Sequence, residues 1–579
     1  MNFKYIILTS IFLLILSIGA ISAADLNETN SQTSHMDNSI SISNHVEQNN
    51  TDNSNKGESP GTFEDLQRKV DNARAGSVLD LTRDYIGQEG LNIVCNKFLI
   101  IDGHGHTIDC QGKKGCYGFY SESGQIILKN LRIINGNSNG NGGAICSEKN
   151  SRYLIINCTF ENNFAKNCGG AIFSNMPLVI EHSKFISNTA NQQGGAIYCS
   201  NFVDCENCQF ERNTAVNSDG GAIYSKESVK LINSTLNNNL CGWSGGAVYS
   251  KTSVVVDTCQ ISSNSAKGNG KESRGGAIRA VKNVEVINSI FIGNYVNNFG
   301  GAIYAGTVNV NPYETIVSFT TKFLNNYAEV DGGAIYSEGL TITNYCILEG
   351  NGAYNSGGAI FCGNSIVQNS RIISNHAKNG YGGGIYTLHN IKVDNCSFDF
   401  NQASESGGAI NTNSITFTKT NSFFHENSAY YGAGGAIWTQ EITNTEVSNM
   451  VFSCNGAGTK MSDSDYSDDY GCNGGAIYIG DKNSVTFSGC TFSGNYAYNK
   501  GGAIYMDTRN SKISIKNNHF DGNHVGIEEG EGSCIYTYGK YGTIYNNFWH
   551  GSKPTSDNDV LIEWIPLLPN KHHEDTDPR

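Results

Sequence analysis

Residues 194–224 read GGAIYCSNFVDCENCQFERNTAVNSDGGAIY, and the tetrad that opens this stretch returns before it closes. GGAI or a close variant occurs fourteen times between Gly142 and Ile504, with the second Gly at 143, 170, 195, 221, 246, 276, 301, 333, 358, 383, 408, 435, 475 and 502. A weaker copy follows at Gly532-Ser533-Cys534-Ile535. Most intervals are 25 to 27 residues, and three are longer. Internal repetition at such a period decides architecture before any residue-level reading does.

Each unit carries a second signature, a large apolar residue three positions before Asn. Phe160/Asn163, Phe185/Asn188, Phe210/Asn213 and Phe291/Asn294 are strict examples, and Leu236/Asn239 and Ile261/Asn264 are variants. Between the two signatures runs a Val/Ile alternation. Three short strand-like runs per 25 residues, separated by Gly, Asn or Ser, predict an all-β chain: a right-handed parallel β-helix, a pectate-lyase-like solenoid. At about 4.8 Å per coil the thirteen intervals would extend roughly 60 Å. The Ile of GGAI is expected in the core. The Asn after each Phe is expected in a left-handed turn, bonded to its equivalents above and below.

Composition agrees. With 67 Gly and abundant Asn the chain cannot be mainly helical, and 38% hydrophobic residues supply a long core. A net charge of -14 with no dense basic run argues against nucleic-acid binding.

Outside the repeats, residues 1–23 read as a secretory signal peptide, with Lys4, an apolar run and a small-residue site near Ala23. Residues 24–60 read as a disordered Asn/Ser-rich linker with sequons at Asn27 and Asn49. Residues 61–140 are an N-terminal cap and the first coils, where Thr62 and Asp65 predict a capped amphipathic helix carrying Phe63, Leu66 and Val70. Residues 141–548 are the GGAI/FxxN repeats, and residues 549–579 a C-terminal cap and tail. No transmembrane segment is expected in the mature chain.

The paired GGAI and FxxN repeats resemble those of the polymorphic outer-membrane protein family. With the entry IDGHGHTID at Ile101–Asp109 and the exit Tyr545-Asn546-Asn547-Phe548-Trp549, the chain also resembles adhesin-like β-helix surface proteins of methanogenic archaea. The resemblance implies an extracellular, secreted or surface-associated adhesin-like protein that binds glycans or proteins of other cells, with no catalytic role. After Trp549 only thirty residues remain, which is expected to be too few for an autotransporter barrel. The alternatives are a polysaccharide lyase or hydrolase of the β-helix class, and a purely structural envelope component.

Candidate site residues follow from alternation. If the Ile of GGAI points inward, the next residue points outward. That position is aromatic in twelve units, predicting an exposed stripe through Phe173, Tyr198, Tyr224, Tyr249, Tyr304, Tyr336, Phe361, Tyr386, Trp438, Tyr478, Tyr505 and Tyr536, broken by Cys146, Arg279 and Asn411. Arg279 reads as a solvated surface residue. The stripe is either a binding surface or a structural ladder.

Catalytic residues are not expected: Asp219 and Asp331 are equivalent in register but four coils apart, near 19 Å, beyond the reach of a carboxylate pair. Asp463, Asp465, Asp468 and Asp469 offer oxygen ligands, so calcium is the one cofactor the sequence allows, but without the glycine and terminal Glu of an EF-hand a solvated acidic loop is the favoured reading. His104 and His106 beside Asp102 and Asp109 resemble metal ligands and also make a turn. Cys158, Cys208, Cys259, Cys346, Cys396 and Cys490 share one column in non-adjacent coils, and are expected as buried small residues rather than bridges. A disulfide is expected sooner among Cys95, Cys110 and Cys116.

Overall fold

The computed structural model describes residues 59–556 apart from 313–319, 419–420, 460–470, 481–483, 508–511, 527–533, 539 and 551–553. The expected signal peptide, nearly all of the linker with its sequons, Asp463, Asp465, Asp468, Asp469 and the tail after Ser556 lie outside the described residues.

About seventeen parallel coils stack into a β-solenoid. The repeat signatures sit in exact register from coil to coil: Ile197 pairs with Ile223 and Tyr198 with Tyr224, Phe185 with Phe210, and Thr189 with Thr214. Among the described residues three long sheets result. One of 28 strands holds the GGAI strand and the Val/Ile run after it, one of 19 strands holds the Phe of FxxN, and one of 15 two-residue strands follows the Asn. From Glu446–Ser448 onward the Val/Ile run forms a separate four-stranded sheet.

The glycine pair explains why the tetrad recurs. Gly220 turns the chain at φ +69°, where a side chain is strained, and a Cβ on Gly221 would lie 1.9 Å from the carbonyl oxygen of Gly246 in the next coil. Only glycine lets the coils close to this distance. Beyond the turn, Ile223 and its equivalents are fully buried, as are Phe160, Phe185 and Phe210. The Phe rings stack at 4.8–4.9 Å in this part of the column.

The Asn ladder forms, with its left-handed turn one residue earlier than expected. Asn162, Ser187 and Arg212, each immediately before the signature Asn, adopt φ of 54–56°. That turn leaves the Asn itself free to point inward, and all fourteen are buried. Asn188 Oδ1 accepts from Asn163 N at 3.1 Å and Asn163 Nδ2 at 3.0 Å. Its Nδ2 donates to Phe160 O and to Asn213 Oδ1, each at 3.0 Å. Each amide thus satisfies backbone groups of neighbouring coils that the turn would otherwise leave unpaired in the core.

The cysteine column is buried as expected, and it alternates with hydroxyls. Cys158, Cys208, Cys259, Cys346 and Cys396 each donate a backbone N–H to Ser183, Ser234, Ser289, Ser370 and Ser422 Oγ of the next coil. The intervening residues, mostly serines with Thr321 and Met450, keep successive thiols at least two coils apart. At the N-terminal cap the expected bridge is not formed: Cys95, Cys110 and Cys116 are buried free thiols.

Helix α1, Phe63–Asn72, closes the first coil with the predicted capping box. Thr62 Oγ1 accepts from Asp65 N at 3.2 Å and Asp65 Oδ2 from Thr62 N at 3.1 Å. Phe63, Leu66 and Val70 are buried on the apolar core. No helix among the described residues is long and apolar enough to cross a membrane.

Candidate functional site: the aromatic ladder

The outward column after the GGAI Ile is a ladder of three runs of four rings. Phe173, Tyr198, Tyr224 and Tyr249 stack at centroid distances of 5.0–5.2 Å. Tyr304, Tyr336, Phe361 and Tyr386 stack at 4.8–5.0 Å. Trp438, Tyr478, Tyr505 and Tyr536 stack at 5.1–5.9 Å. Interplanar angles do not exceed 21°.

The stripe is therefore not exposed in the sense expected. Tyr198, Tyr224, Tyr304 and Tyr505 are buried, and Tyr249, Tyr336, Tyr386, Trp438 and Tyr478 are half-buried. Coil spacing is the cause, since rings held about 5 Å apart cover one another's faces. A second column, the residue before each glycine pair, covers the ladder's flank. Phe299 packs on Tyr336 at 5.1 Å, Tyr381 on Tyr386 at 6.3 Å, and the Lys500 ammonium lies 4.4 Å from the Tyr536 ring. Ring faces cannot receive a ligand within a run; edges and hydroxyls can.

Several hydroxyls are already engaged by carboxylates that line the same face. Tyr304 donates to Glu338 at 2.7 Å, and Tyr478 and Tyr505 donate to Asp507 at 3.0 and 3.3 Å. Burial and these carboxylates raise the phenol pKa of all three, so the hydroxyls remain donors.

The two central breaks differ. Asn411 tucks in and donates to Ser406 O at 3.2 Å. Arg279 is not solvated as expected: it is 8% exposed, with its guanidinium stacked 4.2 Å from the Tyr304 centroid. A flat cation fits the rung where a ring is missing.

The carboxylates the sequence singled out stay apart. Asp219 and Asp331 are separated by Ser244, Arg274 and Phe299 in one column, four coils as expected, and each accepts a backbone N–H, from Ser244 and Ser356. Desolvation pushes the Asp219 carboxyl up to about 6. A closer set was missed: Glu181 pairs in register with Glu206, beside Asp204, and burial followed by the like charges raises the Glu181 pKa. Their identical register positions in consecutive coils were the available signal.

At the N-terminal coils, one ligand atom each from Asp80, Asp102 and His104 lie within 4.8 Å of one another. Asp80 joins from the preceding coil, which only the register reveals. Asp102 is already held by Lys129 Nζ at 2.9 Å, Asn130 Nδ2 at 3.0 Å and His104 N at 3.1 Å. His106 pairs instead with Asp84 at 3.1 Å. An open groove of about 410 Å³ lined by His104, Asn130, Arg132, Asn157 and Thr159 adjoins this network.

Five segments match the Chlamydia polymorphic membrane protein repeat. They are residues 157–175, 182–200, 207–226, 320–338 and 489–507. Each runs from just before an FxxN Phe through the following GGAI, so it spans one Phe, one ladder Asn and one outward ring. No curated protein and no solved structure matches the chain.

Proposed function

We propose that this protein is an exported, surface-associated adhesin-like solenoid that presents its ladder face to glycans or proteins of other cells. The observation that carries the reading is the set of five repeat matches, which place the ring, the Asn rung and the glycine pair of a membrane-protein repeat family on one solenoid. The signal-like N-terminus and the likeness to archaeal adhesin-like β-helix proteins support the same reading. The ladder is a regular row of tyrosine edges and hydroxyls along one side of stacked coils, a surface suited to an extended partner.

The proposal is of a binding protein rather than an enzyme. Asp219 and Asp331 are too far apart to act together, and each already accepts a backbone N–H. The test is surface labelling and fractionation of the native cell, together with a glycan array probed with the full chain. Labelling at the surface with selective retention by glycans or cells is the expected result. Exclusive recovery in the cytosol, or cleavage of a polysaccharide on the array, overturns it.

A further inference from the structure

We propose that Arg279 and Arg274 form an anion-binding site on the ladder, taking the carboxylate or sulfate of an acidic polysaccharide. The inference rests on the ladder face being a presented surface and names its ligand class.

Arg279 stands between Tyr249 and Tyr304 in register. It is more than nine-tenths buried, yet among the described residues its guanidinium makes one hydrogen bond, Nη1 to Ala280 O at 2.9 Å, and forms no ion pair with a carboxylate. None of its other N–H groups is among the buried atoms left without a partner, so they face solvent and can meet an acceptor that arrives from outside. Arg274, from the column before the glycine pairs, leans over the same Tyr304 ring at 5.0 Å. Two cations are thus gathered at one ring. Of the nearby carboxylates, Glu272 is bonded to Arg274 at 2.6 Å, Glu338 accepts from Tyr304 at 2.7 Å, and Asp219 accepts from Ser244 N. None pairs with Arg279. Lys271, 3.6 Å from the Trp243 ring, adds a third cation on the loop beside it.

The surroundings favour a glycan over a peptide. Ile278, next to Arg279, pairs with Val248 on one side and Ile303 on the other, so no free strand edge is offered for a peptide backbone to join. What is offered is a guanidinium fork for a planar oxyanion, between aromatic edges and a tyrosine hydroxyl. The protein's net charge of -14 opposes general attraction of polyanions, so retention must come from a local site.

The test uses Arg279→Tyr, which restores the ring found in twelve other coils and so keeps the stacking intact. Full-length protein and variant are run through gels containing polygalacturonate, dextran sulfate, neutral dextran or polyglutamate. The expected result is retardation of the unaltered protein by polygalacturonate or dextran sulfate only, the responding gel naming carboxylate or sulfate as the group. Arg279→Tyr should lose at least tenfold in affinity, with circular dichroism and melting unchanged or improved, and Arg274→Gln should weaken binding in the same gel. Equal retardation of protein and variant, no retardation in either polysaccharide gel, or equal retention by polyglutamate overturns the proposal. Surface labelling of cells carrying Arg279→Tyr separates this failure from failure of surface display, because display does not depend on the guanidinium.

Discussion

Replacing Asn326 by Ala tests whether the buried amide ladder holds the coils together. Its Oδ1 accepts from Asn294 N at 3.0 Å and Asn294 Nδ2 at 2.9 Å. Its Nδ2 donates to Phe291 O at 3.1 Å and Asn351 Oδ1 at 3.0 Å. After truncation Asn294 Nδ2 still reaches Ile261 O, and Asn351 Oδ1 still receives Asn326 N. Asn294 N–H loses its acceptor in the core, and Phe291 O loses this donor. At about 1–3 kcal/mol for each stranded group, the loss is about 2–6 kcal/mol. Asn326→Asp should be worse at neutral pH, because a carboxylate keeps the two acceptor roles but faces two oxygens it cannot donate to. Its pKa is raised in the folded state, so stability should recover as pH falls and the acid protonates. The control is Asn395→Gly, which keeps a left-handed turn (φ 50°) and removes only an exposed bond to Asn369. Because coils interact chiefly with their neighbours, hydrogen exchange read coil by coil is the assay, with urea unfolding beside it. Loss of protection centred on residues 291–351 is expected. If Asn326→Ala and Asn395→Gly unfold at the same urea concentration with unchanged exchange, the ladder is not what joins the coils.

Gly301→Ala places a Cβ 1.9 Å from Gly333 O and should prevent stacking there, read as loss of soluble folded protein or of protection in adjoining coils. Asp219, with its folded pKa raised to about 6 from 3.8, makes the native state less stable as pH rises from below 4 through 6. Asp219→Asn should remove that slope and add about 2–3 kcal/mol at pH 8, measured by urea unfolding across pH. Changing Tyr304, Tyr336 and Tyr386 together to Ser deletes three stacked contacts and should lower the melting temperature; attachment that survives with the fold intact would make these rings structural. Calorimetric titration with calcium tests the segment bearing Asp463, Asp465, Asp468 and Asp469, where a flat trace removes the metal reading.

The coil plan was legible because each coil obeys the same constraints. GGA marks where coils approach too closely for a Cβ, and the Ile after it marks an inward position, so the register could be written from spacing alone. Asn turn chemistry was half legible. The residue type pointed to a left-handed turn, but that conformation falls on Asn162, Ser187 and Arg212, because the signature Asn is needed inside, where its amide bonds three coils. The candidate site was less legible for a related reason. Alternation gave the direction of Tyr198 and Tyr304 correctly, but exposure depends on what lies one coil above and below and on the flanking column. Single-strand alternation contains neither.

Arg279 joins these arguments. A rung contacts its two neighbours and the flanking column, so a substitution that keeps the stack continuous is judged locally: it must be flat enough to stack and wide enough to shield the strand. Arginine meets both conditions and adds charge, whereas lysine, lacking the planar group, would not. Apart from the longer interval before Gly276, the coil keeps the repeat's building residues, with Ile278 in the core, Asn294 in the ladder and the glycine pair in place. The solenoid therefore lets a single outward position acquire binding chemistry without altering the residues that build the coil. Departures from the repeat, rather than the repeat itself, are where specificity can be written. By that reasoning Arg279→Tyr should cost the protein its anion and leave its fold, and Arg279→Lys should keep the charge while loosening the stack on Tyr304. A lysine variant that bound acidic polysaccharide as tightly as the original would show that charge alone, and not the planar fork held between rings, makes the site.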